Sequence, residues 1–474
     1  MCGVAGYTTL RINATPHILE MLELLQDRGQ SGSGIAVCKD GDIHARTKSG
    51  PVSNLVVGLD LPDAHCGIGH VRYATSGSKF ASQPLTGAIA GTDFALCTNG
   101  DTVKLNGKYR DEFRMSLQQS VLRASSDTED VLHLIAQQPG TTFLKRLVNA
   151  LKKIEGAFST LVLLKTGVLI ATRDRWGFRP LFLAKREDAV AFASEPSALV
   201  DFTLIREVKP GEMVIVNPNL AIHSQEVTKP ARRQYRCSFE WVYMMRPDNP
   251  GVYPFRRAQG RTVAIEMREK RKLPEKIDGV VAVFDSGRDA AFGFAGELGL
   301  EVIPGLNRAR RLNTLRAFLG EDEGERNSIA QRKHSANPDA VSGKHLIVVD
   351  DSLLRSTTMK VIVRKLRDAG AASVHVVIVS PPIGGPCFYG TNIPTRQELV
   401  ASNRSESVIR ILINADSLTY ISLEGYRSCY EHITVSGYEG KLKPCKHVCD
   451  ACMSGLYPKF VPHGFAAKKP MNGD

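Results

Sequence analysis

Cys2 stands beside the first residue of the chain, in the opening sequence MCGVAGYTTL. We expect Met1 to be removed, because aminopeptidases act when the next residue is small, and a free α-amino group would then adjoin the thiol. An α-amino group has a pKa of about 8, so an appreciable fraction is neutral at pH 7 and can accept the thiol proton. The position predicts a nucleophile that uses its own amine as base. Taken alone, it is equally compatible with an ordinary terminal or buried cysteine.

A second group of reactive side chains occurs in IVVDDSLLRSTT, residues 347–358. An apolar run ends in Asp350 and Asp351, and a loop rich in hydroxyl groups follows. At the carboxyl end of a parallel strand such a loop is a ligand site, and the N-terminus of the next helix favours phosphate. The two carboxylates suit sugar hydroxyls or hydrated Mg2+. The plain structural alternative is a helix N-cap within a turn.

The elements that must position these groups change in type along the chain. Up to about residue 230, short β-type runs alternate with turns, and SSDTEDVLHLIAQQ predicts an amphipathic helix. SQEVTKPARRQYRC is the best linker candidate. Beyond residue 240, apolar runs such as HLIVV and VHVVIVS alternate with helical segments, which indicates a parallel sheet. The long charged segment 306–334 could act as a lid, and the Pro, Gly and Lys-rich tail is expected to be irregular unless something fixes it.

Composition sets the broad class. The chain has 474 residues, 43% hydrophobic and 23% charged, which predicts a globular protein of several domains. We find no apolar run long enough for a bilayer and no signal-peptide pattern, so we expect no membrane partner and a cytoplasmic location. The net charge of +12 favours anionic partners. Without a recognisable nucleic-acid motif, small phosphorylated molecules are the preferred partners and nucleic acid is not expected.

Four short motifs, LQDRGQSGSGIA, GHVRYATSG, CTNGD and SSDTE, follow one another in the first half. In this order they resemble the glutaminase domain of class II amidotransferases, whose fold is the four-layer αββα arrangement of N-terminal-nucleophile (Ntn) hydrolases. The resemblance implies that Arg72 holds the carboxylate of glutamine and that Asp127 holds its amino group. It also implies an oxyanion hole formed by Asn99 and the backbone of Gly100.

The segment IVVDDSLLRSTT resembles the phosphoribosyl-pyrophosphate signature of type I phosphoribosyltransferases, and VFDSGRDAAFGFA resembles a second ligand loop of that fold. By this likeness Asp350 and Asp351 bind the ribose hydroxyls, while Thr357 and Thr358 bind the 5-phosphate. The implied ligands of Mg2+ are Ser286, Asp350 and Asp351. The full implied substrate set is Asp350, Asp351, Ser352, Arg355, Ser356, Thr357 and Thr358.

A glutaminase followed by a phosphoribosyltransferase is similar to one family, the amidophosphoribosyltransferases. The resemblance implies an Ntn domain over residues 1–230 and a type I phosphoribosyltransferase domain with a mostly parallel sheet over residues 231–474. It implies synthesis of 5-phosphoribosylamine from glutamine and phosphoribosyl pyrophosphate, with release of glutamate and pyrophosphate, as the first step of purine synthesis. It further implies a dimer or tetramer and inhibition by purine nucleotides.

Ten cysteines in a chain expected in the cytoplasm predict catalysis, metal binding or core packing rather than disulfides. In CKHVCDAC, the residues Cys445, His447, Cys449 and Cys452 could form a zinc site. The family resemblance instead implies a [4Fe-4S] cluster. Its four ligands would be Cys237, Cys387, Cys449 and Cys452, which would fix the tail. A chain without any metal is the third alternative.

Three segments depart from the family pattern. Ser356 replaces a usual glycine, residues 307–318 read NRARRLNTLRAF where a sequence close to KNRYVGRTF is usual, and DTVKL follows Asn99 and Gly100 where an NLTN-like sequence is usual. These departures leave two alternatives. One is a divergent paralogue that aminates another phosphosugar, and the other is a non-catalytic regulatory relative.

Overall fold

The structure is a computed structural model that describes residues 1–11, 13–73, 82–117, 126–308, 332, 334–393, 395–436, 442–444, 447–458, 460–462 and 465. The predicted substrate loop 307–318 lies outside the described residues from position 309 onward, and Cys445 lies outside them as well. Within the described ranges, no helix is both long and apolar enough to cross a membrane.

The N-terminal part of the chain is rich in β-structure. Its strands are β1 Gly3–Thr9, β2 Gly32–Lys39, β3 Asp42–Ser49, β4 Cys66–Arg72, β5 Leu85–Ile89, β6 Thr92–Leu105, β7 Lys108–Tyr109, β8 Ile154–Leu164, β9 Leu169–Arg173, β10 Phe182–Arg186, β11 Ala189–Ala193, β12 Thr203–Glu207, β13 Glu212–Val216 and β14 Ile222–Glu226. Its helices are α1 Ala14–Leu24, α2 Val52–Val56, α3 Arg110–Met115, α4 Asp127–Gln137 and α5 Phe143–Leu151.

These strands form two antiparallel sheets. The order is β12-β10-β11-β1-β4-β2-β3 in the first sheet and β14-β13-β9-β8-β6-β5 in the second, with β7 paired to β6. Strand β1 is buried throughout because it lies in the middle of its sheet, whereas the edge strand β14 is polar and exposed.

Three hydrophobic clusters define the layers of this part. Ile18 and Leu22 of α1 pack on the outer face of the first sheet, and Leu134 of α4 packs on the outer face of the second. A third cluster, which includes Ile68 and Leu161, fills the space between the sheets. The resulting order is helix, sheet, sheet, helix, so the predicted four-layer αββα fold is confirmed.

The C-terminal part alternates strands with helices. Its strands are β15 Arg236–Cys237, β16 Gly279–Ala282, β17 Leu306–Arg308, β18 His334–Ala336, β19 His345–Asp350, β20 Ser373–Ile378, β21 Ser417–Tyr420, β22 Thr434–Ser436, β23 Leu442–Pro444 and β24 Val448–Cys449. Its helices are α6 Val252–Glu269, α7 Arg288–Leu298, α8 Pro338–Val341, α9 Thr357–Asp368, α10 Glu406–Leu412, α11 Leu423–Ser428 and α12 Ala451–Ser454, and a π-helix spans Glu240–Met244.

Strands β16, β19, β20 and β21 form a parallel sheet in the order β16-β19-β20-β21. Successive residues of β19 point to opposite faces, as a pleated strand requires. Ile347 contributes to the cluster that contains Phe294 of α7, and Val348 contributes to the cluster that contains Ile362 of α9. Helices therefore cover both faces of the sheet, and the prediction of a parallel sheet in this half is confirmed.

Candidate active site

Cys2 precedes β1 directly, and the pairing of β1 with β4 brings it beside Tyr73. The Tyr73 N–H donates to the Cys2 Sγ at 3.5 Å, and the Tyr73 carbonyl oxygen lies 3.8 Å from the same sulfur. The Cys2 N–H donates to Asn99 Oδ1 at 3.2 Å, and Arg28 Nε donates to the Cys2 carbonyl oxygen at 3.0 Å. Tyr73, Asn99 and Arg28, from three separate segments, thus fix the position of Cys2.

The N-terminal amine of the chain belongs to Met1, which is fully buried. Burial lowers the pKa of this amine well below its ordinary value of 8.0. Burial also raises the pKa of the Cys2 thiol, an effect that the positive amine opposes. Both shifts favour the neutral forms, because a charge is costly where water is excluded. The surroundings of Cys2 therefore favour a neutral amine next to a protonated thiol.

Asn99 and Gly100 lie on β6, opposite β8. Asn99 is completely buried, and among the described residues its Nδ2 has no hydrogen-bond partner. An unpaired buried donor is costly, so an acceptor oxygen placed against this amide would be stabilised. Position 100 admits only glycine, because a Cβ there would overlap the carbonyl oxygen of Ala157. Asn99 can therefore offer its Nδ2 as a hydrogen-bond donor, and at Gly100 no side chain covers the backbone.

Arg72 ends β4 and Asp127 begins α4, whose N-cap Ser126 accepts the Glu129 N–H at 3.3 Å. Both charged side chains are buried. Besides the larger effect of burial, Asp127 raises the pKa of the Cys2 thiol and Arg72 lowers it. Asn99 is thus hydrogen-bonded to Cys2, Arg72 and Asp127 lie close enough to act on the charge of its thiol, and Gly100 follows Asn99 on β6.

The acid pair of the second predicted site lies where β19 ends. Asp350 and Asp351 are both buried, and the Asp351 N–H donates to Asp350 Oδ1 at 2.9 Å. The hydroxyl groups of Ser286 and Ser352 both donate to the Asp351 carboxylate. Burial raises the pKa of Asp351, and these hydroxyl groups lower it. Oxygen atoms from two neighbouring strand ends therefore meet at one edge of the sheet.

The loop after the acid pair leads into α9, with Ser356 as the N-cap residue. Ser356 has φ −54° and ψ −8°, a conformation open to every L-residue, so the backbone does not require glycine here. Arg355 Nε donates to the Glu398 carboxylate at 2.9 Å. Thr357 and Thr358 form the first turn of α9, where backbone N–H groups are available to an anion.

A single cleft extends from the surroundings of the thiol to the acid pair. Tyr73, which contacts the Cys2 Sγ, lines one part of it, and Met244 lines another part. The predicted ligands of the second site that line the cleft are Ser286, Asp350, Asp351, Ser352, Arg355, Thr357 and Thr358. The cleft therefore reaches from the acid pair to Tyr73, the neighbour of Cys2, and none of the five predicted glutamine-site residues is among its described lining residues.

Four buried charges lie beside Cys2 and join the two parts of the chain; we call them the interface charge cluster: Arg28, Arg179, Glu195 and Glu240. Arg28 pairs with Glu195 at 2.6 Å and with Glu240 at 3.0 Å, and Arg179 pairs with Glu240 at 3.3 Å. Arg179 Nε also donates to the Tyr389 carbonyl oxygen at 2.7 Å. The two positive and two negative charges of the cluster neutralise one another. Such pairing offsets the cost of removing charged groups from water.

The four cysteines predicted to hold a cluster come together from three segments. Cys237 on β15 is opposite Cys449 on β24, and the N–H groups of Gly384 and Gly385 donate to the Cys452 carbonyl oxygen at 3.0 and 2.9 Å. Cys387 follows in that same loop. In the described part of the chain, no three His, Cys, Asp or Glu side chains converge as they would around one metal ion.

Sequence reasoning did not single out the interface charge cluster. Two of its members lie in the stretches RDRWGFRPL, which contains Arg179, and CSFEWVYMMRPDN, which contains Glu240. A signal was present, because a lone charge within an apolar and aromatic stretch must be paired if the stretch is buried. The partner of each charge could not be read from the sequence.

Comparisons with known proteins agree with this geometry. A family model described as a glutamine amidotransferase domain matches residues 70–201. Amidophosphoribosyltransferase 3, chloroplastic, of Arabidopsis thaliana is 36% identical, with 96% of this chain and 84% of the relative covered. The amidophosphoribosyltransferase of Methanocaldococcus jannaschii is 33% identical, with 97% of this chain and 98% of the relative covered. The chain belongs to the amidophosphoribosyltransferase family.

The solved structures extend this likeness to the whole fold. The glutamine phosphoribosylpyrophosphate amidotransferase from B. subtilis, complexed with ADP and GMP, superposes with a TM-score of 0.81 at 34% identity, covering 96% of this chain and 97% of that one. The predicted family, fold class and function are confirmed. Nothing in these comparisons favours a divergent paralogue or a non-catalytic relative.

Proposed function

We propose that this amidophosphoribosyltransferase makes ammonia from glutamine at Cys2 and uses it at the Asp350 and Asp351 site to form 5-phosphoribosylamine. The observation that carries the residue assignment is the cleft that leads from the neighbour of Cys2 toward the acid pair. Its lining reaches from Tyr73, in contact with the thiol, to the acid pair. The predicted division into domains 1–230 and 231–474 fits the change from antiparallel to parallel sheets.

In the first half-reaction, removal of Met1 turns the Cys2 nitrogen into the terminal amine. In its neutral form this amine takes the thiol proton, and the thiolate attacks the carboxamide carbon of glutamine. The oxyanion accepts hydrogen bonds from Asn99 Nδ2 and the Gly100 N–H. Collapse returns the proton to the leaving nitrogen, which departs as ammonia, and water then releases glutamate from the thioester. Arg72 and Asp127 hold the two charged groups of glutamine.

In the second half-reaction, the nitrogen of ammonia displaces pyrophosphate from C1 of the phosphorylated ribose. Asp350 and Asp351 accept hydrogen bonds from the ribose hydroxyls, and the first turn of α9, with Thr357 and Thr358, receives the 5-phosphate. Ser352 and Ser356 belong to the same loop, and Arg355 reaches the phosphate only by leaving Glu398. A path along this cleft would limit the exposure of ammonia to bulk water, where it would be protonated and lost.

The oxygen atoms around Asp351 suit Mg2+, which prefers carboxylates together with substrate phosphate oxygens. Ser286, Asp350 and Asp351 would hold it, and when bound it neutralises the pyrophosphate leaving group. The Ser286 and Ser352 hydroxyls, which donate to the Asp351 carboxylate, place further oxygen atoms beside it.

A [4Fe-4S] cluster fits the four cysteines better than zinc. Burial raises the pKa of the Cys452 thiol, and the charges of Cys387, Cys237 and Cys449 raise it further, so these three thiols lie close enough to Cys452 to act on its charge. A four-iron cluster is larger than one ion, and its thiolate ligands stand farther apart. Of the two residues that only the zinc alternative requires, His447 is exposed and Cys445 lies outside the described residues. The role of the cluster would be to fix the tail and the loop around Cys387.

Three expectations about context complete the proposal. Purine nucleotides are proposed inhibitors, since the B. subtilis relative was solved in complex with ADP and GMP. A dimer or tetramer is the proposed assembly. The cytoplasm is the proposed location, although the Arabidopsis thaliana relative is named chloroplastic.

An assay of glutamine hydrolysis and pyrophosphate release, with and without phosphoribosyl pyrophosphate, tests the proposal. Cys2→Ala should abolish the use of glutamine and spare synthesis from added ammonia, whereas Cys38→Ala, at a buried cysteine away from the site, should change neither. Loss of both activities in Cys2→Ala would contradict two separate sites. Stimulation of glutamine turnover by a different phosphosugar alone would identify another acceptor.

A further inference from the structure

Asp101 follows the two oxyanion-hole residues on β6, and it belongs to a segment that departs from the family pattern. Side chains two positions apart on a strand point to the same side. Asp101 therefore lies on the same side of β6 as Asn99, whose Oδ1 binds the Cys2 N–H. Its side chain is 23% exposed, so it is largely removed from water.

Asp101 belongs to a group of five charges near the glutamine site. Arg110 on α3 lies 3.6 Å from Asp101 and 2.5 Å from Asp130, and Arg114 lies 2.7 Å from Asp130. Asp127 completes the group, because its negative charge acts on both Asp101 and Arg110. Among the described residues of this group, three carboxylates thus face two guanidinium groups, so negative charges outnumber positive ones by one.

Two more guanidinium groups act on these carboxylates from other segments. Arg179 lowers the pKa of Asp101, but it is itself paired with Glu240. Arg72 is close enough to Asp127 for that carboxylate to raise its pKa, against the larger effect of burial, and it is proposed to receive the carboxylate of glutamine. The site thus contains Arg72, which would meet the carboxylate of an amino acid, and an excess negative charge on the aspartates, which would meet its ammonium group.

We propose that Asp101 is a second carboxylate of the subsite for the substrate α-ammonium, acting with Asp127 to select amides that carry a charged α-amine. The inference rests on the proposed glutaminase function and deepens it. In the empty site, burial and the charge of Asp127 raise the pKa of Asp101 to about 7. The proton held there must leave when the ammonium binds, so the affinity for glutamine should increase as the pH rises through 7.

The test is the pH dependence of KM for glutamine in the hydrolysis assay. In the unmodified chain, KM should fall several-fold between pH 6 and pH 8, because the pair Asp101 and Asp127, in which both carboxyl groups have a raised pKa, must give up a proton. Asp101→Asn should have a KM that is flat over this range and several-fold higher at pH 8, with kcat nearly unchanged. Asp93→Asn is the matched control, since Asp93 is on the same strand but pairs with Lys165 at 3.2 Å.

A second measurement separates this role from a structural one. In the Cys2→Ala background, which binds glutamine without turnover, calorimetry in two buffers should detect proton release at pH 6.5. Adding Asp101→Asn should abolish that release. An unchanged KM profile or unchanged proton release in the Asp101 variant would overturn the inference and leave the glutaminase assignment intact. A chain that hydrolyses no glutamine at any pH would overturn both.

Discussion

The backbone of Gly390 packs directly on that of Gly100: a Cβ placed on Gly390 would lie 2.7 Å from the carbonyl carbon of Gly100. Gly390 belongs to the C-terminal part of the chain and follows the loop that carries Cys387, whereas Gly100 supplies half of the proposed oxyanion hole. The C-terminal part of the chain therefore packs against the peptide that is proposed to stabilise the oxyanion.

Gly390→Ala should reduce the kcat of glutamine hydrolysis at least tenfold. The new Cβ must displace the Gly100 peptide, and the φ of +95° at position 390 is itself unfavourable for alanine. Synthesis from added ammonia should fall much less. Gly41→Ala is the matched control, because Gly41 has a φ of +88° and nothing within 4 Å of its Cβ position. Equal losses of hydrolysis in the two variants would refute a specific effect on Gly100.

Glu240→Gln should destabilise the chain by about 3 kcal/mol or more, because removing one partner from buried ion pairs leaves an uncompensated charge. Arg28 and Arg179 both pair with Glu240, at 3.0 and 3.3 Å. Urea unfolding at pH 7.5 measures the loss. Glu297→Gln, at an exposed pair with Arg268, should cost less than about 1 kcal/mol. A Glu240 variant as stable as this control would show that the cluster contributes little.

His70 should make the fold sensitive to acid. It is fully buried, and burial, together with the nearby positive charge of Arg72, lowers its pKa to about 3. The unfolded chain binds the proton near pH 6.5, so stability is complete above that pH and decreases as pH falls toward 3, by up to about 1.4 kcal/mol per pH unit.

The measurement is urea unfolding at pH 7.5 and pH 5.5. His70→Asn should lose less stability between these two conditions than the unmodified chain, whatever its absolute stability. His17→Asn, at a site outside the core, should keep the full loss. An identical pH dependence in all three proteins would assign the acid sensitivity to other groups.

Cys452→Ser should remove the proposed [4Fe-4S] cluster, because a four-thiolate site loses one ligand. Anaerobically purified chain should contain about four irons and absorb visible light, and the variant should be nearly colourless. Cys429→Ser, at a buried cysteine outside the set, should keep the iron. Zinc in place of iron, or an unmodified chain without either metal, would refute the cluster.

Several structural features were predicted correctly from local sequence patterns alone. The helix in SSDTEDVLHLIAQQ is α4, with Ser126 as its N-cap, and HLIVV is the buried strand that ends at the acid pair. Both are local signals, since an N-cap and an apolar run act within a few residues. The sequence also predicted that Cys2, Asn99 and Asp127 would meet, although this depended on family likeness rather than on spacing.

Other features depend on packing between distant segments. The contact of Gly390 with Gly100 joins positions 290 residues apart, and no local pattern distinguishes it from an ordinary loop glycine. The pairing of Arg355 with Glu398 is equally non-local. Arg355 has the residue type expected for binding phosphate, but only the structure shows that a carboxylate already occupies its guanidinium.

The interface charge cluster limits how this enzyme can be divided or recombined. Arg28 holds the carbonyl group of the nucleophile itself, and one of its two carboxylate partners comes from the far side of the interface. A glutaminase half expressed alone, or joined to a foreign acceptor domain without a residue equivalent to Glu240, would carry excess positive charge beside Cys2. A chimaera of two such enzymes should therefore keep a carboxylate at the position of Glu240, so that Arg28 retains its partner.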